Sequence, residues 1–286
     1  MIVSGYVIGF GDNVVDYYIN INRKFPGGNA VNFAVNAQKS GIKAYYVGSI
    51  ASDSDGVLLQ HAISSEGVDI SYSEVIDRTT EQAHVIIKDG DRNFTGGIRG
   101  SRLTPELTPK RIDLFKNSSL VHTSCHSRTE SKIKKLKDID VKVSFDFSDL
   151  DKYRTHKYLE EVCPSIYMAQ FSVAANNQEE INRLITECKD FNVPYLLLTR
   201  GSKSPIFVDT QENKSYEGFI RKVNSPHDTM GAGDAYFAAF ASHFVLSRDG
   251  KTMTEHVIDC FHEGANRAYD TLMLDGSFGY ATPINP

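Results

Sequence analysis

The chain has 286 residues, 41% hydrophobic and 23% charged, the balance of an ordinary soluble globular protein. A formal net charge of -5 offers no general attraction to phosphate backbones or anionic lipid, which argues against nucleic acid and membrane surfaces as partners. No apolar stretch approaches the roughly 20 residues that span a bilayer. The opening MIVSGYVIGFGDN also lacks a basic leader and cleavage site, so it is expected to be a first strand in a cytoplasmic protein.

Along the chain, β-branched and aromatic runs at 6–10, 44–50, 120–124, 141–147, 166–171 and 195–199 read as buried strands. Between them, Ala30, Phe33, Ala34 and Ala37 fall at i, i+3, i+4 and i+7, and Ile181, Leu184 and Ile185 mark another helical stripe. This alternation predicts a doubly wound α/β sheet with helices on both faces. Two segments depart from it: Val14 to Ile21, and His84 to Phe94 with the turn sequence Asp89-Gly90. Both are expected in a small β-lid that closes over a site, although an ordinary surface hairpin would read the same way. No linker or repeat separates two domains. Cys125, Cys163, Cys188 and Cys260 lack C-x-x-C spacing and are expected to be reduced and buried.

The strongest chemical signal is Asp228-Thr229-Met230-Gly231-Ala232-Gly233-Asp234, just ahead of a long helical segment. Glycines at such a turn let backbone amides converge on an anion, and the helix dipole adds positive potential there. That suits the charge spread over a transferring phosphoryl group, with Asp234 beside the attacking hydroxyl as its base. A capped glycine turn without chemistry is the plainer alternative. A second signal, Pro26-Gly27-Gly28-Asn29-Ala30-Val31-Asn32, opens a helix with two glycines and offers Asn32 to ligand hydroxyls. Asp12 and Asp16 follow the first strand, at the edge where open α/β sheets bind ligands, and paired carboxylates there suit a polyol. Taken singly, either is more often a turn or capping residue.

Gly28 and Asn32 in GGNAVN, together with DTMGAGD at 228–234, resemble the two signatures of the ribokinase (PfkB) carbohydrate kinase family. The resemblance extends to Asn176-x-x-Glu179 and Thr199-Arg200-Gly201, in family order over nearly the whole chain. It implies a single ribokinase-like α/β/α domain over 1–286, with a lid from insertions near 14–25 and 80–100, using ATP and Mg2+. Potassium activation also occurs in that family. In the roles it implies, Asp234 is the catalytic base, and the amides of Gly231, Ala232 and Gly233 form the anion hole. Asn176 and Glu179 organise the metal through water, Thr199 and Gly201 contact the nucleotide, and Asn266 lies near the adenine. One departure stands out: the family loop Thr-x-Gly-x-x-Gly here has Ser204, then Pro205, where its second glycine is expected, which bears on nucleotide preference.

Within the family, GDNVVD at 11–16, DGDR at 89–92 and FDFSD at 145–149 look most like fructoselysine 6-kinase and related fructosamine kinases. Such a substrate offers hydroxyls to Asp12, Asp16, Gly28 and Asn32 and an amino-acid end to Arg92 and Arg99, which read equally as solvated lid arginines. A simple ketohexose or pentose ranks second. A nucleoside, with Tyr17, Tyr18 and Phe94 around its base, ranks third. Gly9-Phe10-Gly11 lacks the third small residue of a dinucleotide fingerprint, and no P-loop or G-x-S-x-G elbow occurs. His122 and His126 lack a third metal ligand nearby and are expected in the core or pocket wall. A sugar-binding relative without turnover is the non-enzyme alternative, and a homodimer through the lid is the expected assembly.

Overall fold

The computed structural model describes residues 5–88, 91–101 and 103–284. The Asp89-Gly90 turn expected from sequence lies outside them. The chain opens with β1 (Val7–Phe10), crosses to β2 (Val14–Tyr18) and β3 (Arg23–Gly27), and enters α1 (Asn29–Lys39). It continues through β4 (Ala44–Val47), β5 (Ser49–Ala51), α2 (Ser54–Ser65), β6 (Glu74–Ile76), β7 (Gln82–Lys88) and β8 (Asp91–Ile98). Alternating helices and strands follow: α3 (Pro109–Lys116), β9 (Leu120–Ser124), α4 (Glu130–Lys137), β10 (Val143–Asp146), α5 (His156–Val162), β11 (Met168–Ser172), α6 (Gln178–Asp190) and β12 (Tyr195–Arg200). The chain closes with β13 (Lys203–Asp209), β14 (Lys214–Glu217), α7 (Ala232–Leu246), α8 (Met253–Leu272) and the short β15 (Thr282–Pro283).

The main sheet has the order β14-β13-β12-β11-β10-β9-β1-β4, parallel from β12 to β4 with two antiparallel strands at the other edge. Strand alternation sends side chains to two cores. Val7, Leu120, Met168, Leu197 and Phe207 pack with α1, α7 and α8. Ile8, Val121, Phe145, Ala169 and Leu198 pack with α3 to α6 on the other face. This is the three-layer sandwich that the sequence pattern predicts. A second sheet, β15-β3-β2-β7-β8, collects the two expected lid segments, with the short β15 on its edge.

Sequence and structure differ in two places. The run 44–50 is two strands rather than one: the chain turns at Gly48, where a Cβ would lie 1.9 Å from the Tyr46 hydroxyl, and β5 leaves to pair with β6. Asp16 does not sit at the rim of β1; it is the third residue of β2 in the small sheet, and it is buried. All four cysteines are buried and unpaired, as expected.

Candidate active site

Strand order reverses around β1, since β4 pairs on one side of it and β9 on the other. The crevice outside the carboxyl ends of these strands is where open α/β sheets bind ligands. The Gly11–Asn13 segment emerges there, beside β9, β10 and the amino termini of α1 and α7. One sheet face carries polar residues at this end: His122, Ser124, Ser144, Asp146 and Gln170, aligned by the registers His122↔Ser144, Ser124↔Asp146 and Asp146↔Gln170. Buried polar groups in place of Val or Leu along a core face mark a site rather than a fold requirement.

Two glycines set the geometry. At Gly28, with φ 112°, a Cβ would fall 2.7 Å from the Asn13 Cα, so the turn ahead of α1 closes only without a side chain. At Gly231, with φ 71°, it would fall 2.9 Å from Ser277 Cβ, and that residue is the left-handed cap of α7. Asp228, fully buried, holds this second turn: its carboxylate accepts from the Met230 and Gly276 amides, each at 2.9 Å, and from the Tyr18 hydroxyl.

Asp234 lies in the first turn of α7, where its Oδ2 accepts from Asn32 Nδ2 at 2.7 Å and its Oδ1 from Asn29 Nδ2 at 3.2 Å. The same Asn29 nitrogen donates to Asp146 Oδ2 at 2.6 Å, so one amide joins two carboxylates. Asp12 is occupied as the cap of α1: it accepts from the Asn29 amide at 2.7 Å and from Ser127 Oγ at 2.5 Å. Arg92, from β8, reaches across the cleft to Thr229 Oγ1 at 3.1 Å.

The carboxylates of Asp12, Asp16, Asp146, Asp228 and Asp234 outweigh the charge of Arg92, and the cleft is short of positive charge. Burial pushes Asp234 up to about 6 against the pull of Asn32 and Arg92. Burial also lifts Asp16 to about 7, with Asp228 and Asp234 adding to the rise against Arg92. It lifts Asp146 to about 7 too, assisted by Asp234. Asn32 Oδ1, Arg92 Nε and Ser277 Oγ are buried here without a protein partner among the described residues. One acceptor, one donor and one hydroxyl left unsatisfied beside a glycine turn suit a polar ligand that both donates and accepts, such as a polyol.

The remaining residues singled out from sequence are distributed as follows. Thr199 lies next to the end of β12, with its hydroxyl 3.0 Å from Ser172 Oγ, and Gly201 turns at φ 59° into β13. Ser204 and Pro205 lie within β13, where the Pro205 carbonyl accepts from the Gly218 amide. Asn266 sits on α8 and accepts from Arg221 Nη1 at 3.1 Å. Asn176 and Glu179 lie before and within the first turn of α6, with Glu179 exposed. The overlapping pair Asn177 and Glu180 is committed to structure: Asn177 caps α6, and Glu180 pairs with buried Arg154 at 2.8 Å. Arg99 is exposed just beyond β8. The hydroxyls of Tyr17 and Tyr18 donate to Asp55 and Asp228, and the Tyr18 ring is buried against Phe25, Val85 and Met230. Asn29 and Asp146 were not among the expected site residues. Their signal was a polar residue at a helix start and an acid at a buried strand end, within GGNAVN and FDFSD.

Among the described residues no three His, Cys, Asp or Glu side chains converge as a metal cage. A divalent ion carried in on nucleotide phosphates needs none, since Mg2+ keeps most of its water. Among the described residues no helix is long and apolar enough to cross a membrane.

Known proteins resemble this chain in sequence and in fold. The fructosamine kinase FrlD of Bacillus subtilis is 32% identical over 282 residues, covering 97% of this chain and 94% of its own. The fructoselysine 6-kinase of Escherichia coli is 28% identical over 233 residues, covering 80% and 85%. In fold, Arabidopsis thaliana ribokinase, solved with ribose and ATP, superposes with TM-score 0.77 at 21% identity over 96% of both chains. The Vibrio cholerae fructokinase bound to fructose, ADP and calcium gives 0.77 at 20% identity, covering 96% and 94%. Residues 4–258 match the pfkB family carbohydrate kinases, and the chain belongs to that family.

Proposed function

We propose that this protein transfers the γ-phosphoryl group of ATP to the primary hydroxyl of a fructosamine such as fructoselysine, at its C6 position. The observation that carries the reading is Asp234, held by two amide side chains beside the left-handed Gly231 turn, within a cleft of unsatisfied polar atoms. In this reaction Asp234 takes the proton of the acceptor hydroxyl, whose oxygen forms a bond to the γ-phosphorus as the bond to the β-γ bridging oxygen breaks and ADP leaves. The amides of Gly231, Ala232 and Gly233 receive the developing charge. Mg2+, when bound with the nucleotide, supplies further neutralisation at the phosphoryl oxygens, and Asn176 and Glu179 are the residues that would reach it through water.

Asp16, Asn32 and the backbone at Gly28 hold sugar hydroxyls, with Asp12 shaping the same rim as the cap of α1. Arg92 draws the lid onto the Thr229 turn, while Arg99, at the lid margin, is available to the carboxylate of an amino-acid end. Thr199 and Gly201 line the nucleotide side, with Asn266 beyond them. The family relationship and the names of the two fructosamine-type relatives support this acceptor class over simple hexoses. We further propose that the whole chain works as one domain in the cytoplasm and as a homodimer. Its small sheet ends on the edge strand β8, whose Phe94 and Ile98, with Ile86 of β7, are exposed.

The test is ADP release with ATP and Mg2+ across fructoselysine, other fructosamines, fructose, ribose and adenosine. Turnover highest on a fructosamine is expected. A preference for fructose or ribose would move the assignment within the family, and binding without turnover on every acceptor would leave a sugar-binding relative. Light scattering showing a monomer at working concentration would remove the dimer.

A further inference from the structure

We infer that His122 is a positioning residue for the phosphoryl transfer, fixing the Asn29 amide so that its single –NH2 group bridges Asp146 and Asp234. The inference rests on the reading of Asp234 as the base. His122 lies on β9 and is buried, with its ring stacked on Phe33 at a centroid distance of 4.2 Å and an interplanar angle of 20°, and with Phe237 at 5.2 Å. Its Nε2 is 2.9 Å from Asn29 Oδ1, and its Nδ1 is 2.9 Å from Ser144 Oγ.

With Asp146 and Asp234 ionised, the chemistry of the partners fixes every proton in this chain of hydrogen bonds. Ionised carboxylates only accept, so Asn29 must turn its –NH2 toward Asp146 and Asp234. Its Oδ1 then faces His122 and can only accept, so Nε2 must carry the ring hydrogen. Nδ1 is left as an acceptor, and the Ser144 hydroxyl donates to it. The ring is satisfied as one neutral tautomer. Burial drives its pKa down to about 3, so it stays neutral wherever the enzyme works.

Without the His122 donor the Asn29 amide loses one of the three contacts that hold its orientation. A rotated amide would aim Oδ1 at the carboxylates and withdraw hydrogen bonds from their charged forms, which raises the pH at which they ionise. The charged groups acting on Asp234 are Asp12, Asp16 and Asp146 against it, and Arg92 and His126 in its favour. His122 contributes no charge, so a change on replacing it acts through hydrogen bonds alone. A core histidine with a packing role only would affect stability and leave this titration where it is.

The test is the pH dependence of kcat/KM in the full-length protein. His122→Phe keeps the aromatic stack and removes both ring nitrogens. It should move the acid limb to higher pH by roughly half a unit to one unit, the scale of one lost hydrogen bond, and, with the limb starting between about 6 and 7, lower kcat/KM at pH 7 by up to about fivefold. His122→Gln, whose amide nitrogen reaches the place of Nε2, should restore much of both. Ser144→Ala, a milder change, should shift the limb in the same direction, and should add nothing in an Asn29→Ala background. An unmoved limb in His122→Phe, or a Ser144→Ala shift that persists without Asn29, overturns the inference. Asp234→Asn separates the two readings: if it turns over, the base assignment fails; if it is inactive while the His122→Phe limb stays put, only the positioning role fails.

Discussion

The hydroxyl of Tyr18 donates to the carboxylate of Asp228, tying the second strand of the chain to the head of the glycine turn that precedes Asp234. The small sheet and the glycine turn therefore share a buried polar contact, reinforced by Arg92 on Thr229. Tyr18→Phe removes one of three donors to a fully buried carboxylate, at a cost of about 1–3 kcal/mol. Thermal melts should show a loss of roughly 2–4 °C for each kcal/mol, accompanied by a several-fold fall in kcat. A lowered Tm with unchanged kcat would confine the tie to stability.

Gly231 and Gly233 should behave differently. Gly231→Ala places a side chain at φ 71° and against Ser277, so the turn must shift. We expect kcat to drop at least about tenfold by the loss of amide alignment, with the acceptor KM little altered. A Cβ at Gly233 meets nothing within 4 Å and lies in a helix, so Gly233→Ala should leave Tm unchanged or slightly raised. Equal loss of Tm in both variants would contradict this account.

The carboxylate cluster should make stability fall with pH. Asp16 and Asp146 ionise near about 7 in the folded protein, against an ordinary value near about 4 unfolded. Through that window the folded state binds more protons than the unfolded chain, so its advantage, complete below about pH 4, is lost as pH rises through about 7. Asp16→Asn should flatten this dependence and raise Tm at pH 8 while weakening acceptor binding. Calorimetry showing Asp16→Asn less stable than wild type at pH 8 would contradict it.

Activity has the opposite sign. Proton abstraction needs ionised Asp234, so kcat/KM should rise with pH through a limb centred between about 6 and 7, the range of Asp234 and its neighbours Asp16 and Asp146. A limb near about pH 4, the ordinary carboxylate range, would mean that the cluster is not what titrates.

Much of this was legible in the sequence because local and global signals coincide. Gly231 and Gly28 are required by backbone conformations that no other residue adopts cheaply, and such positions stand out in any reading. The β-branched runs and the stripe from Ala30 to Ala37 marked the layers, since burial on both faces leaves no polar alternation. Asp146 and Asn29 were hidden because their role depends on strand order: the sequence does not say that β10 lies beside β9, and so brings Asp146 to the helix start at Asn29. The Asn-x-x-Glu element shows the converse. Two overlapping frames fit the pattern, and only the fold shows that Asn177 and Glu180 are taken by capping and by Arg154. Asp16 was misplaced, because one crossover moves it from the main sheet to the small one.

The measurement that tests the central claim most directly is turnover by Asp234→Asn with a fructosamine and ATP-Mg2+, with acceptor binding followed in parallel by calorimetry. We predict a loss in kcat of about 10²-fold or more, the contribution expected of a general base, with acceptor affinity within a few-fold of wild type. An Asp234→Asn enzyme that releases ADP at close to the wild-type rate would contradict the assignment of Asp234 as the base.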